Sequence, residues 1–141
     1  MKRRKLLILA AAGMLAEVVS AKGENTMKIR LEAGGRSWLI QLEDNATARA
    51  LYAKLPLRLP LEDLYGRELC YRFLEALPAD EVQVRGYEVG EVVYWPPRHS
   101  FVILYRQNGE AFGMQSIGRI ESGIAELAQF GDMEALLTKA Q

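Results

Sequence analysis

The chain has 141 residues, half of them hydrophobic and 26% charged, which is one domain's worth of polypeptide with enough apolar material for a packed core. Its 18 Lys and Arg balance 18 Asp and Glu, but Lys2, Arg3, Arg4 and Lys5 against Glu17 give residues 1–21 a net +3 and leave −3 on the remainder. A mildly acidic body without a basic stripe argues against nucleic acid as a partner, because that binding needs clustered cations to displace phosphate counterions. One cysteine, Cys70, excludes an internal disulfide and a thiolate metal cluster, and one histidine, His99, excludes a histidine-rich metal site.

The first segment has the form of an export signal. Lys2 to Lys5 make a basic start, Leu6 to Leu15 an apolar run, and Val19-Ser20-Ala21 a small-residue cleavage site. The run is too short to span a bilayer, which takes about 20 residues. Residues 1–21 are therefore expected to be a signal peptide or disordered leader, 22–26 a linker, and 27–141 the folded domain. The expected location is periplasmic or extracellular, without stable membrane insertion once the leader is removed. The alternative is that Met27 is the true start and the protein is cytoplasmic.

From Met27 the pattern alternates with period two. "MKIRLEA" sets Ile29 and Leu31 on one face, Gly34-Gly35 can turn at positive φ, and "RSWLIQL" returns with Trp38, Ile40 and Leu42 aligned. Asp44 or Asn45 can cap a short helix over Ala46–Leu55, which Pro56 ends. "LRLPLED" is a strand whose Pro60 demands an edge or a bulge, and Tyr65-Gly66 turns the chain. "RELCYRFLEALP" suits either period but leans to strand, with Cys70 a small buried residue. Gly86 and Gly90 break the next stretch before the strand Val92–Trp95. "SFVILYR" is a continuous buried strand, and Asn108-Gly109 is the best two-residue hairpin signal, leading into a return strand "AFGMQSIGRIES" bent at Gly113 or Gly118. "GIAELAQFGD" is a short helix closed by Gly131, and period does not decide whether "MEALLTKA" is strand or helix. Many short strands with two short helices predict a small closed barrel.

Three stretches, "LEDNATARALYAKLPLRLPLEDLYGRE", "VGEVVYWPPRHSFVILY" and "SIGRIESGIAELAQFGDME", occur in the order found in the cyclophilin-like domain family of small bacterial and archaeal proteins, which this chain resembles over most of residues 27–136. The resemblance implies a mainly β fold, a closed antiparallel β-barrel with two short helices. It also implies a question about peptidyl-prolyl isomerase activity. Cyclophilins use an arginine in an R-x-x-x-x-F-x-x-Q pattern, which this chain lacks, although Arg67 and Arg72 lie in the corresponding region. Where cyclophilins carry a pocket histidine this chain has Met114, and the preceding loop tryptophan is replaced by Gly109 and Glu110. Fold does not imply function.

Two groups remain as ligand-binding candidates. In "YWPPRHSF", Tyr94, Trp95, Arg98 and His99 could line a barrel mouth that takes a peptide or small molecule; the structural alternative is a proline-stiffened turn. In "FGMQSIGR", Phe112 and Met114 could join Phe101 as the floor of a cleft, with Arg72, next to Phe73, or Gln115 as the polar contact. A hydrolytic triad lacks a G-x-S-x-G elbow, and no phosphate-loop pattern is present. No cofactor or metal is expected. The functional expectations are a non-catalytic peptide or small-ligand binding module, a weak isomerase, or a structural, self-associating domain.

Overall fold

The computed structural model describes residues 26–140, so the expected leader and all of the expected linker but Thr26 lie outside the described residues. The hairpin read from the alternation is present: β1 (Lys28–Ala33) and β2 (Arg36–Leu42) pair antiparallel across Gly34 and Gly35, whose φ angles are 58° and 79°. Helix α1 (Ala46–Ala53) begins where the Asn45 side chain accepts a hydrogen bond from the Ala48 N–H at 2.8 Å, which satisfies one of the free donors of a helix start. It stops short of Leu55, and Thr47, Ala48 and Leu51 are buried.

Strand β3 (Leu57–Leu64) solves the problem that Pro60 poses. Its first part, Leu57–Leu61, pairs with the last strand, β9 (Met133–Ala140), and only Glu62–Leu64 pair with β4 (Glu68–Arg72). Pro60 thus falls where the strand has a neighbour on one side only, the edge position that a residue without an N–H tolerates. The tail "MEALLTKA" is β9, with Met133, Ala135 and Leu137 buried in alternation between β1 and β3.

The remaining strands are β5 (Gln83–Arg85), β6 (Glu91–Trp95), β7 (Ser100–Leu104) and β8 (Phe112–Ile120), with a single 3-10 turn at Pro96–Arg98 and the four-residue helix α2 (Ile124–Leu127). The hydrogen-bonded order β2-β1-β9-β3-β4-β7-β6-β8 closes when β8 pairs back onto β2, making an eight-stranded antiparallel barrel; β5 attaches to β8. This is the mainly β closed barrel expected.

One expected connection is corrected. Asn108-Gly109 does not join a β7–β8 hairpin, because β6 lies between those strands and pairs with both. The dipeptide, with Gly109 at φ 80°, sits instead in an irregular loop between β7 and β8. Its own loop satisfies it: Asn108 Oδ1 accepts from Glu110 N–H at 3.0 Å and Gln107 Oε1 from Gly109 N–H at 2.7 Å. The bend in β8 comes at the register shift opposite Val92 and Val93, which pair with Gly118 and Ser116 and leave Ile117 as the extra residue.

Two apolar clusters explain why β7 is hydrophobic without alternation. Phe101 and Ile103 join Val92, Tyr94, Leu69 and Ile117 in the main core, while Val102 and Leu104 join Cys70, Val93, Met114 and Tyr87 in a smaller cluster on the opposite face of the same strands. Strands covered on both faces need apolar residues at every position, and all five residues of β7 are buried.

Candidate functional site

Beside the smaller cluster lies a cleft of about 360 Å³ on the outward face of β4 and β7. Period two puts Glu68, Cys70 and Arg72 of β4 on one face. The register places them opposite Leu104, Val102 and Ser100 of β7, and Ser100 is in turn opposite Trp95 of β6. Cross-strand pairs therefore build the floor in rows. Trp95, Ser100 and Arg72 form one end, Cys70 and Val102 the apolar middle, and Glu68 the other end, which the β3–β4 turn and the 108–112 segment enclose through Tyr65, Arg67, Asn108, Glu110 and Phe112.

The two ends differ in charge state. Arg67 is paired with two carboxylates: its Nε and one terminal nitrogen donate to Glu68 Oε1 at 2.9 and 2.6 Å, and the other donates to Glu110 Oε1 at 2.6 Å. Burial alone would lower the Arg67 pKa, but the hydrogen bond and charge of Glu68 outweigh it and raise it above the ordinary arginine value. The guanidinium also lies over the Tyr65 and Phe112 rings, 5.4 and 5.3 Å from their centroids. Tyr65 occupies the left-handed region at φ 60° and is 75% exposed, so the turn presents its ring at the rim. At the far end, Arg72 has a single ion-pair neighbour among the described residues, Glu62 at 3.8 Å, too long for a charge-assisted hydrogen bond. Its Nε is buried without a partner. Burial pushes the Cys70 thiol above its ordinary value.

Of the residues singled out from sequence, Arg72, Trp95 and Phe112 line this cleft. Met114 lies beneath it in the smaller cluster, 1% exposed. Phe101 belongs to the main core and does not join Phe112 and Met114 as a cleft floor, because the alternation of β7 turns it inward. Tyr94 is likewise internal, and its hydroxyl accepts from the Leu77 N–H at 2.9 Å. Gln115 is buried, with Oε1 accepting from the Glu81 N–H at 2.7 Å. Phe73 packs edge-on against Tyr71 at 5.1 Å. Arg98 is exposed on the 3-10 turn, and His99, at φ 51°, ties that turn to the end of β4: its carbonyl accepts from the Phe73 N–H at 2.9 Å and its Nδ1 lies 3.3 Å from the Phe73 carbonyl. The candidates thus do not form one constellation.

Sequence reasoning did not single out Tyr65, Glu68, Ser100, Val102, Asn108 or Glu110. The available signal was Glu68, a carboxylate on the same strand face as Cys70. A buried acid requires a cation, and Arg67 is adjacent. A second, polar groove holds Arg85, Glu91, Ser116 and Arg119, but Arg85 and Glu91 satisfy one another at 2.8 Å. No group of three or more metal-ligating side chains occurs among the described residues.

The family model described as the cyclophilin-like family matches residues 31–137. Comparison with curated proteins returns no match. Among solved structures, the chain is similar to the solution structure of the hypothetical protein AF2241 from Archaeoglobus fulgidus, with TM-score 0.65 and 20% identity, over 84% of this chain and 99% of that one. At that identity the likeness speaks for the fold alone.

Proposed function

This chain belongs to the cyclophilin-like family, and we propose that it is a non-catalytic binding module which takes a small molecule or short peptide in the outward cleft of β4 and β7. The observation that carries this reading is the cleft itself, about 360 Å³ that the side chains around it, among them Tyr65, Arg67, Arg72, Trp95 and Phe112, leave open on the outward face of β4 and β7. A concave apolar floor with a few convergent polar groups is the usual build of a ligand site. Against catalysis stands the way neighbouring residues are divided between faces: Arg72 lines the outward cleft, Phe101 points into the core and His99 sits on the adjoining turn outside the cleft lining, which leaves no shared pocket for a proline ring and its amide.

The test is amide NMR on the protein with a library of small fragments and short proline-containing peptides. Binding should shift resonances of residues 65–72, 100–102 and 108–112 together. Shifts confined to other surfaces, or none at all, defeat the reading. Exchange spectroscopy on an X-Pro peptide checks the absence of chemistry: the exchange rate should equal the uncatalysed one, and a faster rate abolished in Arg72→Ala would establish an isomerase instead.

A further inference from the structure

We propose that the cleft selects ligands with one carboxylate on a flat apolar body, the carboxylate seated on Arg72 and the body over Cys70 and Val102; this rests on the binding role proposed above. Arg72 is the only cleft-lining cation left without a hydrogen bond among the described residues. Its side chain is 35% exposed, and its one ion-pair neighbour among the described residues, Glu62, is 63% exposed at 3.8 Å. Arg67, by contrast, already donates three hydrogen bonds to Glu68 and Glu110, so an incoming anion gains nothing there without breaking an ion pair.

Charge count sets the valence. The lining residues Arg67, Arg72, Glu68 and Glu110 sum to zero, and the first of these cations is committed to both acids. One carboxylate completes Arg72, whereas a dianion would add a second negative charge to a site already facing Glu62, Glu68 and Glu110. The planar guanidinium matches a carboxylate through two parallel N–H···O bonds. Register fixes where the rest of the ligand lies. Arg72 is opposite Ser100 and Cys70 opposite Val102, so a body leaving the carboxylate along the strand direction meets apolar floor for about two residues, or ~7 Å, before reaching the acidic end. Trp95 stands beside the carboxylate end and Phe112 in the wall, which suits an aromatic ring.

The experiment titrates the full chain with 2-naphthoate and with 2-naphthamide, its neutral isostere, following cleft amide shifts. The acid should bind about tenfold or more tightly than the amide, the range expected of a charged hydrogen-bond pair. Arg72→Gln should weaken the acid about tenfold or more and abolish its preference over the amide. Glu62→Gln, at an exposed position, should tighten the acid alone. If acid and amide bind equally, or if neither substitution alters the acid's affinity, the carboxylate assignment is overturned while the cleft stands as a binding site. If neither compound shifts the cleft resonances, the binding role falls and this inference with it.

Discussion

Gly118 should be irreplaceable, and the reason is where the barrel closes. β2 and β8 meet through three register pairs, Ile40 with Ile120, Gln41 with Arg119 and Leu42 with Gly118. A Cβ on Gly118 would stand 2.2 Å from the Gln41 carbonyl oxygen and 3.1 Å from Leu42 Cα. Both are backbone atoms, so no side chain can swing aside. Gly118→Ala must move one strand by about 1 Å to reach even a tight contact, and the nearby Glu43 N–H to Ile117 carbonyl bond, now 2.8 Å, would stretch beyond bonding distance. Overpacking costs about 1–3 kcal/mol and a lost hydrogen bond about 1 kcal/mol, giving roughly 2–4 kcal/mol together. For a domain of this size each kcal/mol lowers Tm by about 4 °C, so Tm should fall by roughly 8–16 °C. Urea denaturation with amide exchange across β2 and β8 is the assay. Gly35→Ala is the control, since nothing lies within 4 Å of its added Cβ and only its φ of 79° is penalised, at about 1 kcal/mol. If Gly118→Ala loses less than the control and keeps β2–β8 protection, the closure argument is wrong.

Glu91 is 7% exposed and accepts from Arg85 at 2.8 and 3.1 Å and from the Glu88 N–H at 2.7 Å. Burial would raise its pKa, but these bonds outweigh burial and hold it below the ordinary carboxylate value. The folded protein therefore binds that proton more weakly than the unfolded chain, so the stabilisation is complete above the ordinary carboxylate pKa and is lost as pH falls through the folded value. Glu91→Gln should flatten the acid limb of the stability curve below about pH 5; an unchanged slope there in urea titrations contradicts the pairing. Tyr94→Phe strands the buried Leu77 N–H and should cost about 1–3 kcal/mol, with faster amide exchange at Leu77; exchange at wild-type rates would show that the hydroxyl does not hold the 73–82 segment. The leader reading predicts a mature chain starting at Lys22 when the full chain is made in a cell with a secretory apparatus, and mass spectrometry finding Met1 retained or Met27 at the start refutes it.

Local signals carried most of the fold. Alternation in β1 and β2, the Asn45 cap and the Gly34-Gly35 turn act between near neighbours, so their outcome is written in a few residues. What the sequence could not supply is the identity of each strand's partner. Asn108-Gly109 looks like a hairpin turn, yet β6, which precedes β7 in the chain, lies between β7 and β8. The continuous apolar run of β7 says that both faces are covered, but not by what. For that reason Phe101 and Val102, adjacent and equally apolar, could not be sorted into core and cleft: only the register with β4 and β6 decides which faces the barrel interior.

The same partition explains why the cleft differs from an isomerase pocket. The outward face of β4, β7, β6 and β8 carries two kinds of surface. Toward β8 it is packed by Met114, Val93, Leu104 and Tyr87, and Met114 stands where the resemblance leads one to expect a pocket histidine. A thioether 1% exposed fills space and closes that part of the face, where an imidazole would need water or a partner for its ring nitrogens. Toward β4 the same face borders the cleft, at one end of which stands Arg72, whose charge resists being covered by apolar groups. Replacing the packed half with polar groups would be expected to dissolve the smaller cluster before it created a catalytic pocket, since Cys70 and Val102 belong both to that cluster and to the cleft floor.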